Sequence, residues 1–229
     1  MIELLHTACM EFMRGLPDKA FDLAIVDPPY GIGAANDARF GLKMRKAGSR
    51  RSAFVRKDWD SETPSPEYFD EVRRVSREQI VWGANYFGLI GGMLFWHKHQ
   101  TDYSSSSGEL AHLSMVHGVH YVDILWSGAY QQDMKNKERR IHPTQKPVAL
   151  YRWLLKNYAK PGQRILDTHL GSGSIAIACD IEGFDLVGCE IDADYIAGAR
   201  KRLADHLSAP RLFDAPMPTS EQLKIDEAA

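Results

Sequence analysis

Cysteine is scarce here: Cys9, Cys179 and Cys189 are the whole supply, no two form a CxxC pair, and all sit among apolar neighbours. That pattern argues against a disulfide framework or a thiolate metal site and for plain core packing in a reducing compartment. Long hydrophobic runs are missing too. No stretch approaches eighteen apolar residues and Met1-Ile2-Glu3 opens no signal peptide, so the expectation is a soluble, cytoplasmic protein without a membrane partner. An excess of one charge is also lacking, since 28 Lys and Arg face 30 Asp and Glu. The histidine groups His97/His99 and His112/His117/His120 come without Cys or acid at ligand spacing, so they read as core or surface residues and no metal is expected.

What is present supports one sizeable α/β core, with 229 residues and 44% hydrophobic content. The stretch 21–30 organises it. Leu23 to Val26 reads as a strand buried on both faces, and Asp27 stands where it ends. Pro28 and Pro29 forbid helix or ladder beyond that point, so a carboxylate, a proline carbonyl and the Tyr30 ring are held at the carboxyl edge of a sheet. Open α/β sheets place their ligands there. An ordinary strand exit would look the same in isolation.

Charge is uneven in distribution. Between Arg39 and Lys57 stand eight basic residues (Arg39, Lys43, Arg45, Lys46, Arg50, Arg51, Arg56, Lys57) and no acid. Such a run is either a solvated loop or a phosphate-contacting one, and its place just after Asp27 favours phosphate. Lys135, Lys137, Arg139 and Arg140 make a second basic segment. Stretches 31–60 and 100–141 therefore read as phosphate-facing insertions in a single domain of residues 1–208, with 209–229 a frayed tail.

Strands are expected at 2–6, 23–26, 79–82, 93–96, 121–126, 164–166 and 186–189, and helices at 8–16, 66–75, 148–158, 175–181 and 195–206. Ser65-Pro66-Glu67 carries an N-cap, a first-position proline and a first-turn acid. The run 101–108 reads as a Ser-rich loop.

The second half follows a nucleotide-binding plan: strand, Gly171-Ser172-Gly173 turn, helix, strand, then Glu190 nineteen residues after Gly171. A dinucleotide cofactor would fit this outline. However, the third glycine of GxGxxG is absent, and Asp167 ends the strand where a pyrophosphate would be repelled. A ligand with ribose, adenine and an ammonium but no phosphate suits it better, and S-adenosylmethionine is such a ligand.

Asp27-Pro28-Pro29-Tyr30, then His142-Pro143-Thr144-Gln145-Lys146-Pro147, then Asp167-Thr168-His169-Leu170-Gly171-Ser172-Gly173-Ser174 resemble the ordered motifs of amino-group DNA methyltransferases. The order, with the catalytic tetrapeptide before the cofactor loop, is similar to the permuted β-type group, and to its compact phage-like members. The resemblance implies an open, mostly parallel, doubly wound sheet of the class I S-adenosylmethionine-dependent type, a double-stranded DNA partner and, as in many relatives, a homodimer. It implies that Asp27, Pro28, Pro29 and Tyr30 hold the target base. Asp167, His169, Gly171, Gly173 and Ser174 would line the methionine moiety, Glu190 would take the ribose, and His142, Thr144 and Lys146 would close over the cofactor. One departure stands out: where members commonly carry Gly-Asp-Cys, this chain reads Thr7-Ala8-Cys9.

An adenine amino group is a poor nucleophile because its lone pair is delocalised. Acceptors at its hydrogens, the Asp27 carboxylate and the Pro28 carbonyl, would aim that lone pair outward for in-line transfer. No Pro-Cys dipeptide offers a thiolate for C5 of cytosine. The acid at position 27 favours N6-adenine over N4-cytosine, where serine is commoner. A DNA-binding relic without catalysis would have no reason to keep both the acid and the aromatic.

Overall fold

The computed structural model describes residues 1–34, 57–99, 106–127 and 130–209. Among these, the chain runs β1 (Ile2–His6), α1 (Cys9–Arg14), β2 (Phe21–Val26), α2 (Pro66–Val75), β3 (Ser76–Trp82), β4 (Gly92–His97), β5 (Gly108–Leu113) and β6 (Val119–Asp123). It continues through a short pair, β7 (Trp126–Ser127) and β8 (Tyr130–Gln131), to α3 (Val148–Tyr158), β9 (Arg164–Asp167), α4 (Ser174–Glu182), β10 (Asp185–Glu190) and α5 (Ala193–Ser208).

Eight strands form one sheet in the order β1-β10-β9-β2-β3-β5-β4-β6. The first five are mutually parallel, β5 runs antiparallel to both its neighbours, and β4 and β6 are parallel. Its faces are covered differently. Met13, Tyr68, Val72 and Val75 of α1 and α2 pack on Phe21, Ala24 and Val26, while Leu150, Leu154, Ile175 and Ile196 of α3, α4 and α5 pack with Leu23, Ile25, Ile80 and Trp82 on the other. Each such buried aliphatic contributes about 1.5–3 kcal/mol. Strands covered on both faces read as continuous apolar runs, as Leu23–Val26 does. This is the open, doubly wound, mostly parallel sheet of the class I methyltransferase type.

Local boundaries follow side-chain chemistry. The last turn of α1 tightens, Gly15 and Leu16 donating to the Phe12 and Met13 carbonyls at 3.2 and 3.0 Å, so this helix is shorter than residues 8–16. Helix α2 stops at Ser76, whose backbone turns extended while its hydroxyl donates to the Val72 carbonyl at 2.6 Å. Strand β6 starts earlier than expected and ends at Asp123. Beyond it, the Ile124 and Trp126 N–H groups turn to the His97 and Lys98 carbonyls, both at 3.3 Å. Strand β5 was not expected at all. Its alternation is interrupted by Glu109 and His112, and it forms because β3 and β4 pair with it on both sides. Residues 108–113 and 119–123, inside the stretch read as an insertion, are thus sheet. No helix among the described residues is long and apolar enough to cross a membrane.

Candidate active site

Asp27 leaves the end of β2 into a polar corner assembled from four elements. The Tyr30 hydroxyl donates to Asp27 Oδ1 at 2.6 Å. Lys146 Nζ lies 2.5 Å from Asp27 Oδ2, 3.0 Å from Glu109 Oε2 and 3.3 Å from Tyr30 Oη. Lys98, just past β4, closes the other side of Glu109. Two cations therefore alternate with two carboxylates. Burial opposes the charge on Glu109, but Lys146 and Lys98 outweigh it and hold the carboxyl at about 2. Burial pushes Asp27 above its ordinary value while Lys146 pulls it back, and burial together with the two carboxylates drives the Tyr30 phenol well up. The two carboxylates keep Lys146 charged against its own burial.

The turn after Asp27 is fixed by a residue the motif does not contain. Asp60, itself buried, accepts from Tyr30 N–H (2.6 Å), Gly31 N–H (3.0 Å) and Ala34 N–H (2.7 Å). Such a three-fold acceptor satisfies a turn whose prolines cannot pair with the sheet. The Tyr30 ring stacks on Tyr86 with centroids 4.8 Å apart and planes at 16°, and meets Phe87 edge-on. Gly83 makes room for it. A Cβ there would stand 2.3 Å from Tyr30 Cε1, at a φ of 78° that side chains rarely adopt.

The next strand along the edge, β9, carries Asp167. Register pairs Leu23 with Ile165 and Ala24 with Leu166, which brings Asp27 and Asp167 to the same edge. Burial pushes the Asp167 carboxyl up to about 8, against the His169 N–H that donates to it at 3.0 Å. The turn then swings through left-handed Gly171 and Gly173, and a Cβ on Gly173 would press within 2.8 Å of Ala199 on α5. Glu190 ends β10 and accepts from Gly171 N–H and Asp192 N–H, each at 2.8 Å. Those two bonds leave acceptor capacity on both oxygens. Ser174 is buried and engaged by Ser172 and Arg202, both at 3.1 Å. His169 is half-buried, its pKa lowered to about 4 by desolvation, and Tyr68 bridges it and Thr168 at 3.4 and 2.6 Å.

The segment 142–147 spans both halves. His142 packs over the glycine turn between Trp59 (5.0 Å) and Tyr195 (4.3 Å), its pKa lowered to about 3 by burial, and Thr144 bonds its Nδ1 at 3.2 Å. Lys146, expected over the cofactor, instead reaches the Asp27 corner. Thr7 N–H bonds the Glu190 carbonyl at 3.1 Å, so Thr7-Ala8-Cys9 borders the same edge; Ala8 caps α1 without a side-chain bond.

Of the basic residues, Arg39 to Arg56 lie outside the described residues. Lys57 is not a free cation: it bonds Asp192 at 2.6 Å and Asp194 at 2.9 Å and covers the Tyr195 ring at 4.4 Å. Lys135, Lys137 and Arg139 are exposed, whereas Arg140 is half-buried against the Pro143 carbonyl. Glu109, Asp60, Lys98 and Tyr68 were missed from sequence. None sits in a motif; Glu109 in particular lay in a strand its own pattern hides.

A family described as DNA methylase, of the N6/N4 type, matches residues 94–201, from β4 through the glycine turn into α5. YubD of Escherichia coli (strain K12), a methylase by description, is 25% identical over 89% of this chain and 91% of its own length. Type II methyltransferase M.HinfI of Haemophilus influenzae is 22% identical over 88% of this chain and 68% of that protein. DNA adenine methyltransferase YhdJ of Escherichia coli (strain K12) is 41% identical over 33% of this chain and 26% of that protein. Among solved structures, the M1.HpyAVI–SAM complex superposes with a TM-score of 0.53 at 18% identity, covering 89% of this chain and all of that one. The cytosine-N4-specific PvuII DNA methyltransferase gives 0.55 at 10% identity, with 90% of each chain covered.

Proposed function

Taking the chain as an amino-group DNA methyltransferase by fold and family signature, we propose that it moves the methyl group of S-adenosylmethionine onto N6 of an adenine flipped out of duplex DNA. The observation that carries this reading is the β2–β9 register, which puts Asp167 level with Ile25, two residues before Asp27, at one sheet edge. The resident chemistry fits the cofactor. A buried carboxyl held near 8 is a site for a ligand ammonium, and Glu190 keeps acceptor capacity for ribose hydroxyls. When bound, the cofactor supplies a methyl on a cationic sulfur.

The chain's own residues do the rest. The Asp27 carboxylate and the Pro28 carbonyl accept the amino hydrogens of the base. Lys146 and the Tyr30 hydroxyl hold Asp27 in one orientation, so no reorganisation accompanies the step. Tyr30 and Tyr86 present an aromatic platform beside it, and stacking can return about 1–3 kcal/mol of the unstacking cost. The 39–57 and 135–140 basic residues, Lys57 excepted, contact phosphate. The adenine choice rests on the acid at 27 and on the likeness to DNA adenine methyltransferase YhdJ.

The deciding experiment digests DNA treated with enzyme and cofactor to nucleosides for mass spectrometry. N6-methyladenine is expected. N4-methylcytosine alone would overturn the target, and no methylated nucleoside would overturn the activity.

A further inference from the structure

The outer flank of the same sheet edge carries a polar cluster that this reaction does not use. Strands β4 and β6 lie parallel, with His97 opposite Asp123 and Phe95 opposite Tyr121 in the register. The His97 ring lies beside both Phe95 (6.3 Å, 25°) and Tyr121 (6.4 Å, 27°), which are 6.1 Å from each other. Past the strand, His99 takes a left-handed φ of 56°, uncommon outside glycine. That turn folds its ring back to 4.4 Å from His97 and brings its Nε2 against Asp123 Oδ1. One donor atom each from His97, His99 and Asp123 lies within 4.8 Å of the others.

We propose that His97, His99 and Asp123 form a binding site for Zn2+ or a similar divalent transition metal, with water completing the coordination. Two imidazoles and one carboxylate suit a borderline cation rather than Ca2+ or Mg2+. Bonds of roughly 2.0–2.2 Å in a tetrahedron set donor atoms about 3.3 Å apart, which small rotations of these partly exposed side chains supply. Tyr121 gives the outer support such sites use, donating to Asp123 Oδ2 at 3.1 Å with its oxygen 3.3 Å from His97 Nδ1. A plain surface ion pair returns no more than the left-handed backbone at His99 costs. A metal would fasten the edge strand β6 to the exit of β4. It would thereby steady Lys98, which stands between the two histidines and reaches Glu109.

The test uses tag-free, chelator-treated protein titrated with Zn2+ by calorimetry and with Co2+ by visible absorption. One equivalent should bind, with a Co2+ band intense enough to mark four-coordination. His97→Ala, His99→Ala and Asp123→Asn should each weaken binding about 10-fold or more, while His117→Ala leaves it unchanged. Histidine ring resonances of the wild type, followed by NMR during the Zn2+ titration, give a measurement that needs no variant. Failure of the wild type to take up a stoichiometric ion, or wild-type affinity in any of the three ligand variants, would overturn the site.

Discussion

Replacing Asp167 with asparagine should stabilise the cofactor-free protein and weaken its cofactor binding at the same time. The carboxyl is 1% exposed and held near 8 against an ordinary 3.8. Between those values the unfolded chain releases its proton while the folded chain retains it. Each pH unit crossed therefore removes about 1.36 kcal/mol of stability. The contribution is intact below pH 3.8 and lost as pH rises through 8, with a ceiling of roughly 6 kcal/mol over the interval. Relaxation and water entry reduce that, and we expect ~2 kcal/mol at pH 7.5. Asparagine has no such proton and keeps an oxygen for the His169 N–H. At about 2–4 °C per kcal/mol, the variant should melt ~4–8 °C higher at pH 7.5 and nearly level with wild type at pH 4. Calorimetry should show cofactor affinity down about tenfold or more, since the ammonium loses its counter-charge. A variant that melts lower at pH 7.5, or a gap that ignores pH, would refute the account of Asp167 as an uncompensated acid.

Asp27→Ala should cost transfer roughly 10²-fold or more while leaving cofactor affinity nearly intact by calorimetry; equal loss of both would move Asp27 to the cofactor side. Glu109→Gln leaves Lys146 and Lys98 with one carboxylate between them and should lower stability by ~2 kcal/mol at pH 7. Because Glu109 is depressed to about 2, its contribution is present above pH 4.5 and lost as pH falls through 2, so denaturant melts of variant and wild type should converge in acid. Gly83→Ala drives a methyl into Tyr30 at a left-handed φ and should lower activity more than stability, read as kcat at saturating cofactor against melting temperature.

The elements that sequence made legible are those whose neighbours are local or whose pattern is uniform. Leu23–Val26, the glycine turn and Ser65-Pro66-Glu67 announce themselves because burial on both faces, left-handed turns and helix starts each demand particular residue types. The placements of Asp27, Asp167 and Glu190 at one edge followed from strand ends. Glu109 and β5 were illegible for the opposite reason. A polar residue inside a short strand weakens the period-two signal, and its reason for being there, Lys146 and Lys98, lies on other elements of the chain. The reach of Lys146 to Asp27 and Glu109 was illegible too, because nothing in His-Pro-Thr-Gln-Lys-Pro says which way a long side chain turns. Asp60 likewise acts through backbone N–H groups, which carry no sequence signature. Lys57 looked like the last cation of a DNA-facing run, and only the fold reveals Asp192 beside it.

The seating of β2 between β3 and β9 has a consequence for how the protein is made. Its partner β3 follows within about fifty residues, but β9 is translated some 140 residues after β2. Until then the apolar Leu23–Val26 segment presents an open pairing edge on the ribosome, the kind of edge through which nascent chains misassociate. Asp27, too, must wait for Lys146 to arrive from the second half. A series of arrested nascent chains should therefore stay protease-sensitive at residues 1–34 until β9 and β10 have left the exit tunnel, and resistance gained much earlier would show that the first half holds itself closed by other contacts.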